Sequence, residues 1–137
     1  MTDAISGLNH INMRAPEAMI ERLRAFYCDV IGLREGPRPA FRSRGYWLYG
    51  GASDVLHLTI IAEENRDAVA SIAPLPTGWL DHIAFTAVDK AAAIRRLESA
   101  GITYEIDEVP MAGPEVGQAQ IFLTDPAGIG VELNFVQ

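Results

Sequence analysis

Leu8-Asn9-His10-Ile11 and Leu80-Asp81-His82-Ile83 begin two stretches alike. A sequence that echoes itself over tens of residues builds one supersecondary unit twice. After the first tetrapeptide, Met19, Leu23, Phe26, Tyr27 and Val30 recur at helical spacing, with Pro16 near the start and Gly32 just past the end. After the second, Asp89 is placed to cap a helix whose inner face carries Ala93, Ile94 and Leu97, and Gly101 stands where helices stop. The second halves also correspond. Leu48 to His57 and Leu123 to Glu132 are equal steps, each enclosing a glycine-containing turn, Gly50-Gly51-Ala52 or Asp125-Pro126-Ala127-Gly128. Strands are expected on both sides of each turn, at 46–49 and 55–60 and at 120–124 and 129–135, with shorter ones at 40–42 and 103–106. The expected fold class is therefore α+β: two βαβββ modules, 5–61 and 80–136, within a single domain spanning 1–137. Residues 62–79, with Asn65, Pro74, Pro76, Thr77 and Gly78, read as a connector with room for one helical turn.

Residues alternate between the two faces of a strand, so the first and last strands of each module can be read for facing. Ile11 and Met13, Leu56, Leu58 and Ile60, Ile83, Phe85 and Ala87, and Val131, Leu133 and Phe135 form apolar sets suited to lie under the helices. The opposite face then carries His10, His57, His82 and Glu132 at repeat-related positions. A lone strand histidine is ordinarily satisfied by local hydrogen bonds. Here the three histidines of the chain all fall on this face, with a carboxylate at the fourth equivalent place. Imidazole and carboxylate are the donors that Zn, Ni, Fe, Co and Mn accept, so the quartet reads as the ligand set of one divalent metal ion. Asn12, Arg14, Thr59, Thr86 and Asn134 share the face and are candidate substrate-binding residues. Trp47, Tyr46, Tyr49 and Phe122 are candidates for a cavity wall or for core packing.

The sequence resembles the vicinal oxygen chelate superfamily, the glyoxalase, bleomycin-resistance and extradiol dioxygenase group. The carriers are Leu8-Asn9-His10-Ile11, Val55-Leu56-His57-Leu58, Asp81-His82-Ile83-Ala84-Phe85, and Asp125-Pro126-Ala127-Gly128 leading to Val131-Glu132-Leu133. The resemblance implies an open, cupped mixed sheet around a metal that binds two neighbouring oxygens of a substrate. It also implies that His10, His82 and Glu132 hold the most widely shared ligand positions. Lactoylglutathione lyases of the group carry a proton-moving carboxylate where this chain has His57. Three imidazoles and one carboxylate leave a divalent site with a formal charge near +1 rather than near zero, which favours an enolate or catecholate. Arg14 falls where relatives use an arginine toward an anionic substrate. The expected activity is that of a metal-dependent, glyoxalase-like lyase or isomerase in which His57 and Glu132 are catalytic as well as ligating. The alternatives are an extradiol-type ring-cleaving dioxygenase using His10, His82 and Glu132, and a non-catalytic binder of the bleomycin-resistance kind.

Composition narrows the partners. With 137 residues, 49% of them hydrophobic, the chain can build an ordinary core. A net charge of −7 with scattered Lys and Arg carries no footprint for nucleic acid. No apolar run is long enough to cross a bilayer and MTDAISG is not a signal peptide, so no membrane partner and a cytoplasmic location are expected. The single Cys28 excludes an intrachain disulfide and reads as a buried thiol. A small-molecule substrate and a homodimer complete the expectation.

Overall fold

The computed structural model describes residues 4, 7–62, 77–109 and 118–135. The chain divides into two compact units, one formed by 1–28 and 33–72 and the other by 29–32 and 73–137. Each holds a four-stranded mixed sheet.

Unit one contains β1 (Ile11–Ala15), α1 (Glu17–Ala25), β2 (Arg34–Gly36), β3 (Gly45–Gly50) and β4 (Ser53–Ile60). Its strands lie in the order β1-β4-β3-β2, with β1 and β4 parallel and the other pairs antiparallel. Pro16, which cannot donate a backbone hydrogen bond, stands at the N-cap of α1, and its carbonyl accepts from the Met19 and Ile20 amides. Helical spacing buries Met19, Ile20 and Leu23, and α1 packs on β1, β3 and β4 over Leu48, Leu56, Leu58 and Ile60. The helix then widens into a π-helical stretch, Phe26–Ile31, whose last three residues belong to unit two and whose Phe26, Tyr27 and Val30 are buried as their spacing predicts. Cys28 on this stretch is only half-buried, because the face bearing Phe26, Tyr27 and Val30 is the one turned inward.

Unit two repeats the plan with β5 (His82–Ala87), α2 (Lys90–Ala100), β6 (Glu105–Val109), β7 (Gln118–Thr124) and β8 (Gly130–Phe135), in the order β5-β8-β7-β6. The Asp89 side chain accepts from the Ala92 amide and caps α2, while Gly101 at φ 66° ends it in the left-handed region that glycine adopts without strain. Ala93 and Leu97 are fully buried. Asp125 organises the turn before β8 by accepting from the Ala127 and Ile129 amides.

The expected short strands sit elsewhere. Residues 37–44 are irregular and the strand expected at 40–42 is instead β2, because Glu35 pairs with Leu48. The strand expected at 103–106 starts at Glu105 and runs to Val109, in register with β7. Most of the connector, 63–76, and the helical turn expected in it lie outside the described residues. Among the described residues no helix is long and apolar enough to cross a membrane.

Candidate functional site

In unit one, parallel pairing sets Asn12 opposite His57 and Arg14 opposite Thr59, and His10 immediately precedes β1. The His10 and His57 rings stack with centroids 3.8 Å apart and planes 16° from parallel. Trp47, the β3 partner of His57, covers the other side of that imidazole at 4.1 Å and 7°. The His57 side chain is only 12% exposed, and its Nε2 donates to Asp54 Oδ2 at 2.7 Å. In a regular strand residues 54 and 57 would face opposite sides. The pairing changes from Leu48 with Leu56 to Gly50 with Ser53, so β4 takes one residue more than β3 over that stretch. This bulge turns Asp54 toward the histidine. The hydrogen bond from His57 holds the Asp54 carboxyl below the ordinary carboxylate range.

In unit two, His82 pairs with Gly130, Ala84 with Glu132 and Thr86 with Asn134. The ladder repeats that of unit one: Glu132 stands where His57 stands, and each of His10 and His82 precedes the partner of that residue by two positions. The side-chain contacts repeat too. His10 Nδ1 bonds Asn9 Oδ1 at 2.6 Å and His82 Nδ1 bonds Asp81 Oδ2 at 2.7 Å. An oxygen acceptor requires the proton on Nδ1, so a neutral imidazole in either place keeps its Nε2 lone pair for a metal. The hydrogen bond to Asp81, with a lesser contribution from the charge of Glu132, raises the His82 pKa. Gly130 gives His82 its room: a Cβ there would lie 2.6 Å from the Asp81 carbonyl oxygen and 3.0 Å from His82 Cβ. Phe122, opposite Glu132, meets His82 in a T-shaped arrangement with ring centroids 6.3 Å apart.

Glu132 departs from the pattern of its strand. It is 8% exposed although it alternates with the buried Val131 and Leu133. Among the described residues no hydrogen bond or ion pair satisfies it. Its oxygens are not among the wholly buried unsatisfied atoms, and its charge acts on His82; a carboxylate so short of hydration is nonetheless better placed with a cation beside it.

Among the described residues no three or more His, Cys, Asp or Glu side chains are gathered closely enough to hold a metal. The structure brings the quartet together as two pairs, His10 with His57 and His82 with Glu132. Taken unit by unit, the donors are of the kind divalent ions accept: the Nε2 of His10 in unit one, and the Nε2 of His82 with the Glu132 carboxylate in unit two. His57 differs, since its Nε2 is occupied by Asp54.

Of the other candidates, Asn12 accepts from the Thr59 hydroxyl at 2.9 Å, and both line a unit-one cavity of about 480 Å³ with His10, Trp47 and His57. Arg14 is exposed and does not line it. Thr86 is exposed, and Asn134 Oδ1 is buried without a partner. Tyr46 belongs to the helix side, where its hydroxyl donates to Glu21. Tyr49 donates to the Pro37 carbonyl. Sequence reasoning missed Asp54 and Arg38. The available signal for Asp54 was an acid three residues before a ligand-position histidine, beside a glycine turn.

The model of the Glyoxalase/Bleomycin resistance protein/Dioxygenase superfamily matches residues 7–133, and the chain belongs to that family. Among solved structures it is similar to a Bacillus anthracis protein assigned to the glyoxalase family, with 24% identity, 100% of both chains covered and a TM-score of 0.66. Lactoylglutathione lyase from Agrobacterium tumefaciens is 24% identical over 97% of this chain and 96% of that one, with a TM-score of 0.59. The fosfomycin resistance protein FosX from Listeria monocytogenes, solved with Mn(II) and 1S,2S-dihydroxypropylphosphonic acid, is 16% identical over 97% and 94%, with a TM-score of 0.63. These likenesses establish the fold. The sequence matches no curated protein.

Proposed function

We propose that the chain is a divalent-metal-dependent, glyoxalase-like enzyme, a lyase or isomerase acting on a small substrate that offers neighbouring oxygens. His10, His82 and Glu132 hold the metal, and His57 joins them by turning from Asp54. The observation that carries this reading is Glu132, a carboxylate only 8% exposed that makes no hydrogen bond among the described residues and whose charge acts on His82, placed at the repeat-equivalent of His57. FosX, which holds Mn(II) with a ligand bearing hydroxyls on adjacent carbons, lends support. When bound, the metal supplies Lewis-acid polarisation of the substrate oxygens. Asn9 and Asp81 orient the two imidazoles, Gly130 leaves space for His82, and Asn12 and Asn134 offer polar contacts to a ligand. We further propose a homodimer, because each sheet ends in edge strands that need cover; a monomeric mass by light scattering at micromolar concentration would contradict it.

The Asp54–His57 hydrogen bond favours a second reading, the ring-cleaving dioxygenase. There His57 stays outside the ligand set and moves protons, with Asp54 fixing its orientation. His57→Glu and His57→Gln separate the two. On the lyase or isomerase reading, the Glu variant keeps metal and gains activity toward dicarbonyl thiol adducts. On the dioxygenase reading, the Gln variant keeps iron but slows catechol turnover about a hundredfold or more. Failure to bind any divalent ion would dismiss both and leave the non-catalytic binder.

A further inference from the structure

The unit-one cavity has a wall that the metal reading does not use: Arg38, Phe41 and Ser43, from the irregular stretch between β2 and β3. Arg38 donates from Nη1 to the Ser43 carbonyl at 3.0 Å and from Nη2 to Ser43 Oγ at 3.1 Å, which fixes the guanidinium 5.0 Å from the centre of the Phe41 ring. Its Nε is buried without an acceptor. Among the described residues no carboxylate pairs with it, whereas Arg24 pairs with Glu21 and Glu35, and Arg44 with Glu17. The acid that lines the same cavity, Asp54, is engaged by His57. Arg38 is thus a part-buried cation, held by Ser43, with more N–H donors than Ser43 can accept and no carboxylate in ion-pair contact among the described residues. Asn12 adds a second donor, because its Oδ1 is taken by Thr59 and its NH2 remains. Between these polar groups lie the rings of Phe41 and Trp47, 6.1 Å apart and tilted by 46°.

We propose that this cavity binds an organic oxyanion, a carboxylate or phosphonate carried on a flat apolar group. Arg38 is its charge partner, Phe41 and Trp47 are its walls, and the Asn12 amide is its second donor. A planar guanidinium already oriented by Ser43 forfeits little freedom on pairing with an oxyanion, and the aromatic walls favour a flat apolar body. The inference deepens the metal-enzyme reading by making the substrate anionic. It rests on that reading only for what becomes of the bound anion.

The test uses benzoate, phenylphosphonate and neutral benzamide, titrated into the protein as purified and again after dialysis against a chelator, so that coordination by metal is separated from binding by Arg38. Calorimetry reads affinity, and Trp47 fluorescence in a Trp79→Phe background reports occupancy of the cavity. Benzoate or phenylphosphonate is expected to bind at least tenfold more tightly than benzamide in both preparations. Arg38→Gln should weaken the bound anion about tenfold or more, leave metal content at the parent level, and contrast with Arg42→Gln, an exposed control with no effect. Equal binding of benzoate by Arg38→Gln and the parent, equal binding of all three probes, or no binding at millimolar concentration would overturn the proposal. If Arg38→Gln does not fold by circular dichroism, Arg38→Lys decides: it must still prefer an anion to benzamide, and loss of that preference would overturn the proposal. Retained anion binding in a protein that takes up no metal would remove the metal reading alone.

Discussion

Replacing Glu132 by Gln or Leu should stabilise the metal-free protein while abolishing its response to metal. Glu132 is 8% exposed and makes no hydrogen bond among the described residues, but its oxygens are not among the wholly buried unsatisfied atoms, so the lower end of the about 1–3 kcal/mol cost of an unsatisfied buried polar group applies. Leu has a similar volume and removes the penalty, so a gain of about 1 kcal/mol is expected, or roughly 4 °C in Tm for a domain of this size. Gln removes only the charge and should gain less. The gain should be larger at pH 8 than at pH 6, because the raised His82 pKa marks a stabilising charge that is fully present below its unfolded value near 6.5 and lost as pH rises through the folded one. Metal reverses the ranking: at a hundredfold excess over Kd the parent gains about 2.7 kcal/mol and the variants gain nothing. Thermal melts of parent and variants, with chelator and with each candidate divalent ion, provide the assay. The reasoning is refuted if both variants melt below the parent in chelator, or if metal raises their Tm as much as the parent's.

Gly130→Ala should lower stability by about 1–3 kcal/mol and reduce metal retention, since the added Cβ meets the Asp81 carbonyl and His82 Cβ; unchanged melting and metal content would show that the strand yields freely. Asp81→Asn should bring the His82 pKa down toward its ordinary value, because the hydrogen bond to Asp81 is the main cause of its elevation; an unmoved histidine proton titration by NMR would deny that cause. Tyr46 has a raised pKa because its hydroxyl donates to Glu21, so it contributes stability below pH 10 that is lost as pH rises through the folded value. Tyr46→Phe should remove that alkaline dependence from denaturation curves, and an identical pH profile would contradict it.

Much of this was legible in the sequence because the repeat acts at several levels at once. The helix faces, the Asp89 and Gly101 caps and the turns around Gly51 and Asp125 are local signals, and the apolar alternation of β4, β5 and β8 carries the facing of the candidate site. What escaped depends on partners. The place of β2 is chosen by the register of Glu35 with Leu48, not by propensity at 40–42. The π-helical widening at Phe26–Ile31 leaves the buried spacing of Phe26, Tyr27 and Val30 intact, so the pattern cannot reveal it. Asp54 meets His57 only because a bulge in β4 reverses the parity of the strand. Arg38 escaped because what singles it out, a Ser43-held guanidinium with no carboxylate in contact among the described residues, is set by the folded loop and not by local sequence.

Metal content after exhaustive dialysis tests the central claim most directly. The parent, reconstituted with Zn, Ni, Fe, Co or Mn, is expected to retain one divalent ion per site by elemental analysis. His10→Ala, His82→Ala and Glu132→Ala should each lose most of it while keeping the parent circular dichroism spectrum. Full occupancy in all three variants, or a parent that retains none of the five metals, would contradict the account.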